Sequence, residues 1–258
     1  MPADDVPPTT AATAARRAIA LEAENARLRR ALAEAEGRRG RMSQELQHGV
    51  RNMLAVVRSI ARRTAQTSET GEDYALHLDG RLDALARAHA MLARDPDGGV
   101  GLDVLLAEEL LAHTAHEGDR VCLCGPAVRL RGKAAELFAL AAHELAVNAV
   151  KYGALRAPQG RLTVTWRVEA EAAEPARAGE GRSDRGPAGG VLRLEWRETG
   201  VAPPGVPSRR SGFGTEMIER TLAYELGATA SLGFGPDGAC CTVVLPLTEW
   251  VVAADSGP

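Results

Sequence analysis

The sequence predicts an α+β protein: a coiled-coil helix and a helical hairpin, then an α/β sandwich. Three observations predict it. Leu21, Asn25, Leu28 and Leu32 follow a 4-3-4 spacing within a run of strong helix formers. Two later stretches, 42–67 and 72–93, carry apolar stripes at helical spacing on either side of a turn, Thr67-Ser68-Glu69-Thr70-Gly71. Beyond the linker Asp95-Pro96-Asp97-Gly98-Gly99, short strand-like runs alternate with helices.

Taken in order, residues 1–12 are Pro- and Thr-rich and are expected to be disordered. Residues 13–40 form the first helix. A polar Asn25 between leucines fixes register and favours two parallel strands, and Gly37 and Gly40 interrupt the pattern. Leu46, Val50, Leu54, Val57 and Ala61 line the second helix; Leu78, Leu82, Leu85, His89 and Leu92 line the third. Neither helix buries its stripe alone, so the 41–97 hairpin is expected to complete a four-helix bundle as a homodimer. The domain at 98–250 is expected to hold helices near 102–115, 133–152 and 214–226. Strands are expected near 120–130, 161–168, 191–198, 229–234 and 239–246. Their order suits a mostly antiparallel sheet with helices on one face. Residues 169–190 are rich in Ala, Gly, Glu and Arg and read as a flexible insertion. Residues 251–258 read as a disordered tail.

Composition excludes several functions. The net charge is -3 and aromatics make up 3%, so neither a basic nucleic-acid face nor a base-stacking platform is expected. No apolar run reaches the roughly 18 residues of a membrane span. The N-terminus lacks a basic start followed by an apolar segment, so a cytoplasmic location is expected. Cys122, Cys124, Cys240 and Cys241 match neither a disulfide framework nor zinc-knuckle spacing, and read as small apolar strand residues.

The helix at 133–152 carries the most chemistry. Phe138, Ala141, Leu145, Ala149 and Tyr152 read as its buried stripe, while Glu144, Asn148 and Lys151 share another face at i, i+4 and i+7. An amide oxygen suits Mg2+, an ammonium suits phosphate, and a carboxylate can orient or deprotonate an attacking group. A solvated helix face carries the same spacing. Glu198-Thr199-Gly200 puts an acid at a strand end before a glycine. Gly212-Phe213-Gly214 opens a helix, where backbone N–H groups can meet phosphates. A plain turn explains that tripeptide equally well.

Together these segments resemble the HWE class of histidine kinases, within the Bergerat-type (GHKL) ATPases. The matching residues are His143-Glu144-Leu145 with Asn148, Ala149, Lys151, Tyr152, Gly153 and Ala154, then Trp196-x-Glu198, then Gly212-Phe213-Gly214. Upstream, Glu45-Leu46-x-His48 with Asn52 and Leu54 resembles the phosphoacceptor box, and Arg81-Leu82-x-Ala84-Leu85 with His89 resembles the second bundle helix. The resemblance covers about residues 42–247.

It implies a protein-histidine kinase of a two-component system. His48 is then the phosphoacceptor, ATP with Mg2+ the phosphoryl source, and the receiver domain of a response regulator the partner. Neutral imidazole dominates near pH 7, so His48 offers a nucleophile. Asn148 is implied as the Mg2+ ligand. Lys151, Tyr152, Gly200, Gly212, Phe213 and Gly214 are implied around the nucleotide. Glu198 is implied on the adenine amino group, and Glu144 as the base or orienting group. His143 is expected to be architectural. The sequence departs from the family at Gly49, where arginine is common, and at Val201, where a second glycine is usual. The dozen residues before the first helix are too few for a sensor domain, so a separate sensor partner is one expected source of input. Two other readings are a non-catalytic phosphotransfer scaffold with a degenerate ATP-like domain, and a nucleotide-dependent serine kinase acting on a protein partner. The second has no use for the His48 helix.

Overall fold

A computed structural model describes residues 10–95, 98–114, 120–170, 190–201, 213–235, 237–248 and 250–253. The chain divides into two units, 1–59 and 60–258. The first is the greater part of helix α1, Thr10–Thr67. The helix begins at Thr10, inside the stretch expected to be disordered, and it runs unbroken through Gly37, Gly40 and Gly49. A glycine costs an exposed helix about 1 kcal/mol relative to alanine, too little to break one flanked by Arg, Glu and Leu. Leu21, Leu28, Leu32, Val50 and Leu54 are all exposed on it.

The second unit starts with the last turns of α1, where Ile60 and Thr64 become buried. Helix α2, Gly71–Arg94, follows a cap in which the Thr70 hydroxyl accepts the Asp73 N–H at 3.0 Å. Its buried face is Arg81, Ala84, Leu85 and Ala88, rotated from the expected Leu78/Leu82/Leu85/His89 stripe. Small alanines let α2 lie close along α4, and Leu78, Leu82 and Leu92 are left half-exposed.

The α/β portion then reads β1 (Val100–Gly101), α3 (Leu102–Thr114), β2 (Val121–Cys124), β3 (Val128–Leu130), α4 (Gly132–Lys151), β4 (Arg161–Ala170) and β5 (Gly190–Thr199). After these come α5 (Phe213–Glu216), a π-helical turn (Met217–Thr221), α6 (Leu222–Leu226), β6 (Thr229–Gly235), β7 (Gly238–Pro246) and β8 (Val251–Ala253). The main sheet has the order β2-β4-β5-β7-β6, with β2 parallel to β4 and the other pairs antiparallel. The expected strand near 120–130 is two short strands in different sheets. β1, β3 and β8 make a small second sheet. Val251–Ala253 therefore belongs to the fold and not to a tail, because Val251 is buried and the segment pairs with β3.

β4 and β5 pair from Arg161↔Thr199 to Ala170↔Gly190. The expected insertion therefore loses its ends to strands, and its remainder, 171–189, lies outside the described residues. Leu192, Leu194, Trp196 and Glu198 form the buried face of β5 at the two-residue period of a strand. Helix α4 is buried along Ala134, Phe138, Ala141 and Leu145. No helix among the described residues is long and apolar enough to cross a membrane.

Candidate functional site

Helix α4 ends at Lys151 and its chain reverses tightly. Gly153 N–H donates to Asn148 O at 3.0 Å and Ala149 O at 3.1 Å, and Leu155 N–H donates to Ala149 O at 3.0 Å. The reversal brings the Ala154 N–H onto Glu198 Oε2 at 2.8 Å, while Trp196 Nε1–H donates to Glu198 Oε1 at 3.1 Å. Glu198 is thus the buried link between the strand β5 and the end of α4. A Cβ at Gly153 would sit 1.8 Å from Glu198 Oε2 and 2.8 Å from Ala149 Cα, so only glycine allows this approach. Trp196 and Glu198 share a face because they are two apart on one strand.

The start of α5 lies against α4. A Cβ on Gly214 would stand 3.1 Å from Glu144 Cβ and Oε2, and 3.6 Å from Asn148 Nδ2. Gly214 therefore opens the space between the two side chains that the sequence reading assigned to catalysis and to Mg2+. Asn148 is exposed and Lys151 half-exposed. The Asn148 amide oxygen is of the hard donor type that suits Mg2+. Tyr152 is a correction. It was read as part of the buried stripe, yet it is 73% exposed, because it caps α4 outside the last helical turn. Gly200 adopts φ 74° where a Cβ would meet Gln159 O at 2.6 Å. Gly212 lies outside the described residues.

Glu144 is not free. Arg81 Nε donates to its Oε1 at 2.8 Å and Nη2 to its Oε2 at 3.3 Å. Arg81 Nη1 donates to Thr64 Oγ1 at 2.7 Å, and the guanidinium lies 3.6 Å over the Phe213 ring. Arg81, on α2, thereby collects α1, α4 and α5 around one buried cation. Four residues earlier on the same helix, His77 Nε2 accepts from Lys151 Nζ at 2.9 Å. In the sequence Arg81 stood out only as part of a helix motif, and His77 had no motif context. An arginine among the leucines and alanines of a bundle helix was the available signal.

A second buried group lies beside the first. Arg87 donates to Glu109 through Nε (3.0 Å to Oε1) and Nη2 (2.8 Å to Oε2). Glu109 is fully buried on α3. Desolvation pushes its carboxyl up most strongly among single influences, but hydrogen bonds from His143 and Arg87, with their charges, hold it below 4.5. His113 and His77 are both held below the ordinary 6.5, first by burial and then by neighbouring His143 and Lys151 respectively. Their unfolded forms take up protons at higher pH than the folded ones. Stability from their neutral burial is therefore present above 6.5 and lost as pH falls below it. We expect the melting temperature, measured with a chelator present, to fall on acidification from pH 7. The slope should be shallower in His113→Asn, and an unchanged slope would refute the assignment.

His48 is exposed on α1, beside Gln44, Gln47, Gly49 and Arg51. A Cβ at Gly49 would meet nothing within 4 Å, so the glycine is not sterically required. Cys122 and Cys124 are exposed, against the apolar reading. Cys241 is buried and its thiol is pushed up to about 12 by that burial.

Among solved structures, the blue-light activated histidine kinase of Erythrobacter litoralis EL346 shares the fold with a TM-score of 0.52 and 18% identity, over 77% of this chain and 60% of that one. Residues 45–127 match the family model described as HWE histidine kinase. The chain is 29% identical over 218 residues to the blue-light-activated histidine kinase of Brucella ovis, and 30% identical over 215 residues to that of Brucella anthropi. These matches cover 84% and 83% of this chain but only 41% and 40% of those relatives.

Proposed function

We propose that this chain is the kinase core of a two-component system, transferring the γ-phosphoryl group of ATP to His48 and then to an aspartate of a response-regulator receiver domain. The observation that carries the reading is the meeting of Glu144, Asn148 and Gly214 at the junction of α4 and α5. Magnesium with the triphosphate supplies charge neutralisation for an in-line transfer. Asn148 would hold the cation, Lys151 and the start of α5 would hold phosphate oxygens, and Tyr152 would flank the nucleotide. Glu198 has both oxygens engaged, yet each carboxylate oxygen keeps a second acceptor position for the adenine amino group. His48 contributes the lone pair that forms the N–P bond while the bond from the γ-phosphorus to the bridging oxygen breaks. The ring proton leaves to a base. Glu144 is better suited to orienting than to taking that proton while Arg81 holds both its oxygens. Aspartate of the regulator then takes the phosphoryl group from His48, restoring neutral imidazole.

The exposed leucines of α1 support a homodimer, which sedimentation at micromolar concentration checks. The occupation of Glu144 by Arg81 and of Lys151 by His77 is the observation that favours the second reading, a scaffold without catalysis.

The test is labelling with γ-labelled ATP. Wild type is expected to acquire acid-labile, base-stable label, and His48→Ala and Asn148→Ala to fall to background. Label persisting in His48→Ala would overturn the acceptor assignment. Absence of nucleotide binding in wild type would favour the scaffold.

A further inference from the structure

Helix α3 presents Glu109 and His113 one turn apart, and His143 faces them from α4. His143 Nδ1 lies 3.2 Å from His113 Nε2 and 3.5 Å from Glu109 Oε2, and the three ligand-type atoms all fall within 4.8 Å of one another. Among the described residues this is the only cluster of three such groups able to converge on one ion. Glu109 and His143 are buried and His113 is half-exposed.

The distances have a specific meaning. Ligands at about 2.0–2.1 Å from a tetrahedral zinc stand roughly 3.3–3.4 Å apart. Two of the three pairs already match that edge, and the third closes by a small rotation of half-exposed His113. Two imidazole nitrogens 3.2 Å apart bring lone pairs together unless one is protonated or both share a cation. Two imidazoles and a carboxylate are a borderline donor set that suits zinc better than magnesium or calcium. Arg87 does not exclude the ion. Its Nε can keep Glu109 Oε1 while Oε2 turns to the metal, the outer hydrogen bond that ligating carboxylates usually carry.

We propose that Glu109, His113 and His143 form a zinc-binding site separate from the nucleotide site, with water in the fourth position. Occupied, it ties α3 to α4 at the residue immediately before Glu144. The site does not depend on phosphoryl transfer, so its test uses zinc without nucleotide.

The exposed Cys122 and Cys124 are competing zinc ligands, so the test uses the full chain carrying Cys122→Ser and Cys124→Ser, stripped with a chelator. Calorimetric titration with zinc sulfate is expected to show one saturable site per chain, and the melting temperature to rise on saturation. Cobalt substitution is expected to give visible bands of tetrahedral type without thiolate charge transfer. Adding His113→Ala is expected to weaken zinc at least tenfold, as loss of one of three protein ligands should, while the circular dichroism in chelator stays unchanged. His113→Cys, which restores a zinc ligand at the same position, is expected to recover binding and to add a thiolate band with cobalt. No saturable site in the Cys122→Ser, Cys124→Ser background would overturn the proposal. So would equal affinity with and without His113.

Discussion

Arg81→Ala is expected to destabilise the second unit by about 3–5 kcal/mol, the usual cost of removing one partner from a buried ion pair. Arg81 is 4% exposed and Glu144 8%. Truncation leaves the Glu144 carboxylate buried without its two donors, the Thr64 hydroxyl without its guanidinium, and a void against Phe213. The pair itself need not be strongly stabilising, because desolvating two charges offsets most of their attraction. Arg81→Met combined with Glu144→Gln should therefore be closer to wild type than Arg81→Ala alone. Urea denaturation of wild type, Arg81→Met, Glu144→Gln and the double variant measures the coupling. A loss below about 1 kcal/mol for Arg81→Ala, the range of exposed pairs, would show that the contact is not buried in solution.

Glu198→Ala is expected to cost about 2–5 kcal/mol, since it strands two buried donors, the Ala154 N–H and the Trp196 Nε1–H, at about 1–3 kcal/mol each. The two share one acceptor group, so their costs need not add. Trp196→Phe removes one donor while keeping most of the ring, and should recover part of the loss when combined with Glu198→Ala. If Glu198 also receives the adenine amino group, the affinity for a non-hydrolysable ATP analogue with Mg2+ should fall by at least tenfold. Calorimetry separates the two effects: stability lost with affinity retained would leave Glu198 a structural link only.

These residues also mark what could be read in advance. Glu198 was visible as an acid at a strand end beside Trp196, because a two-residue period puts both on one face whatever the rest of the chain does. Its hold on Ala154 was not visible, since that contact spans 44 positions. Glu144, Asn148 and Lys151 were legible as one helical row, because helix geometry alone sets that spacing. Their partners were not. Arg81 is 63 positions from Glu144 and His77 is 74 from Lys151, and sequence spacing carries no information across such loops. Tyr152 failed for a local reason: the stripe argument assumed one more helical residue than α4 has. Gly37 and Gly40 failed because glycine weakens a helix without ending it when both neighbouring segments are strong formers.

By itself, then, the sequence determined the α+β class, the order of the main elements and the helical row of Glu144, Asn148 and Lys151, because each follows from a short repeating period. It also named Trp196 and Glu198. The tertiary structure alone decided which buried charges meet. The Arg81–Glu144 pair, the Arg87–Glu109 pair and the convergence of Glu109, His113 and His143 arise only when α2, α3 and α4 pack together, since burial makes an unpaired charge costly enough to require a partner from another element.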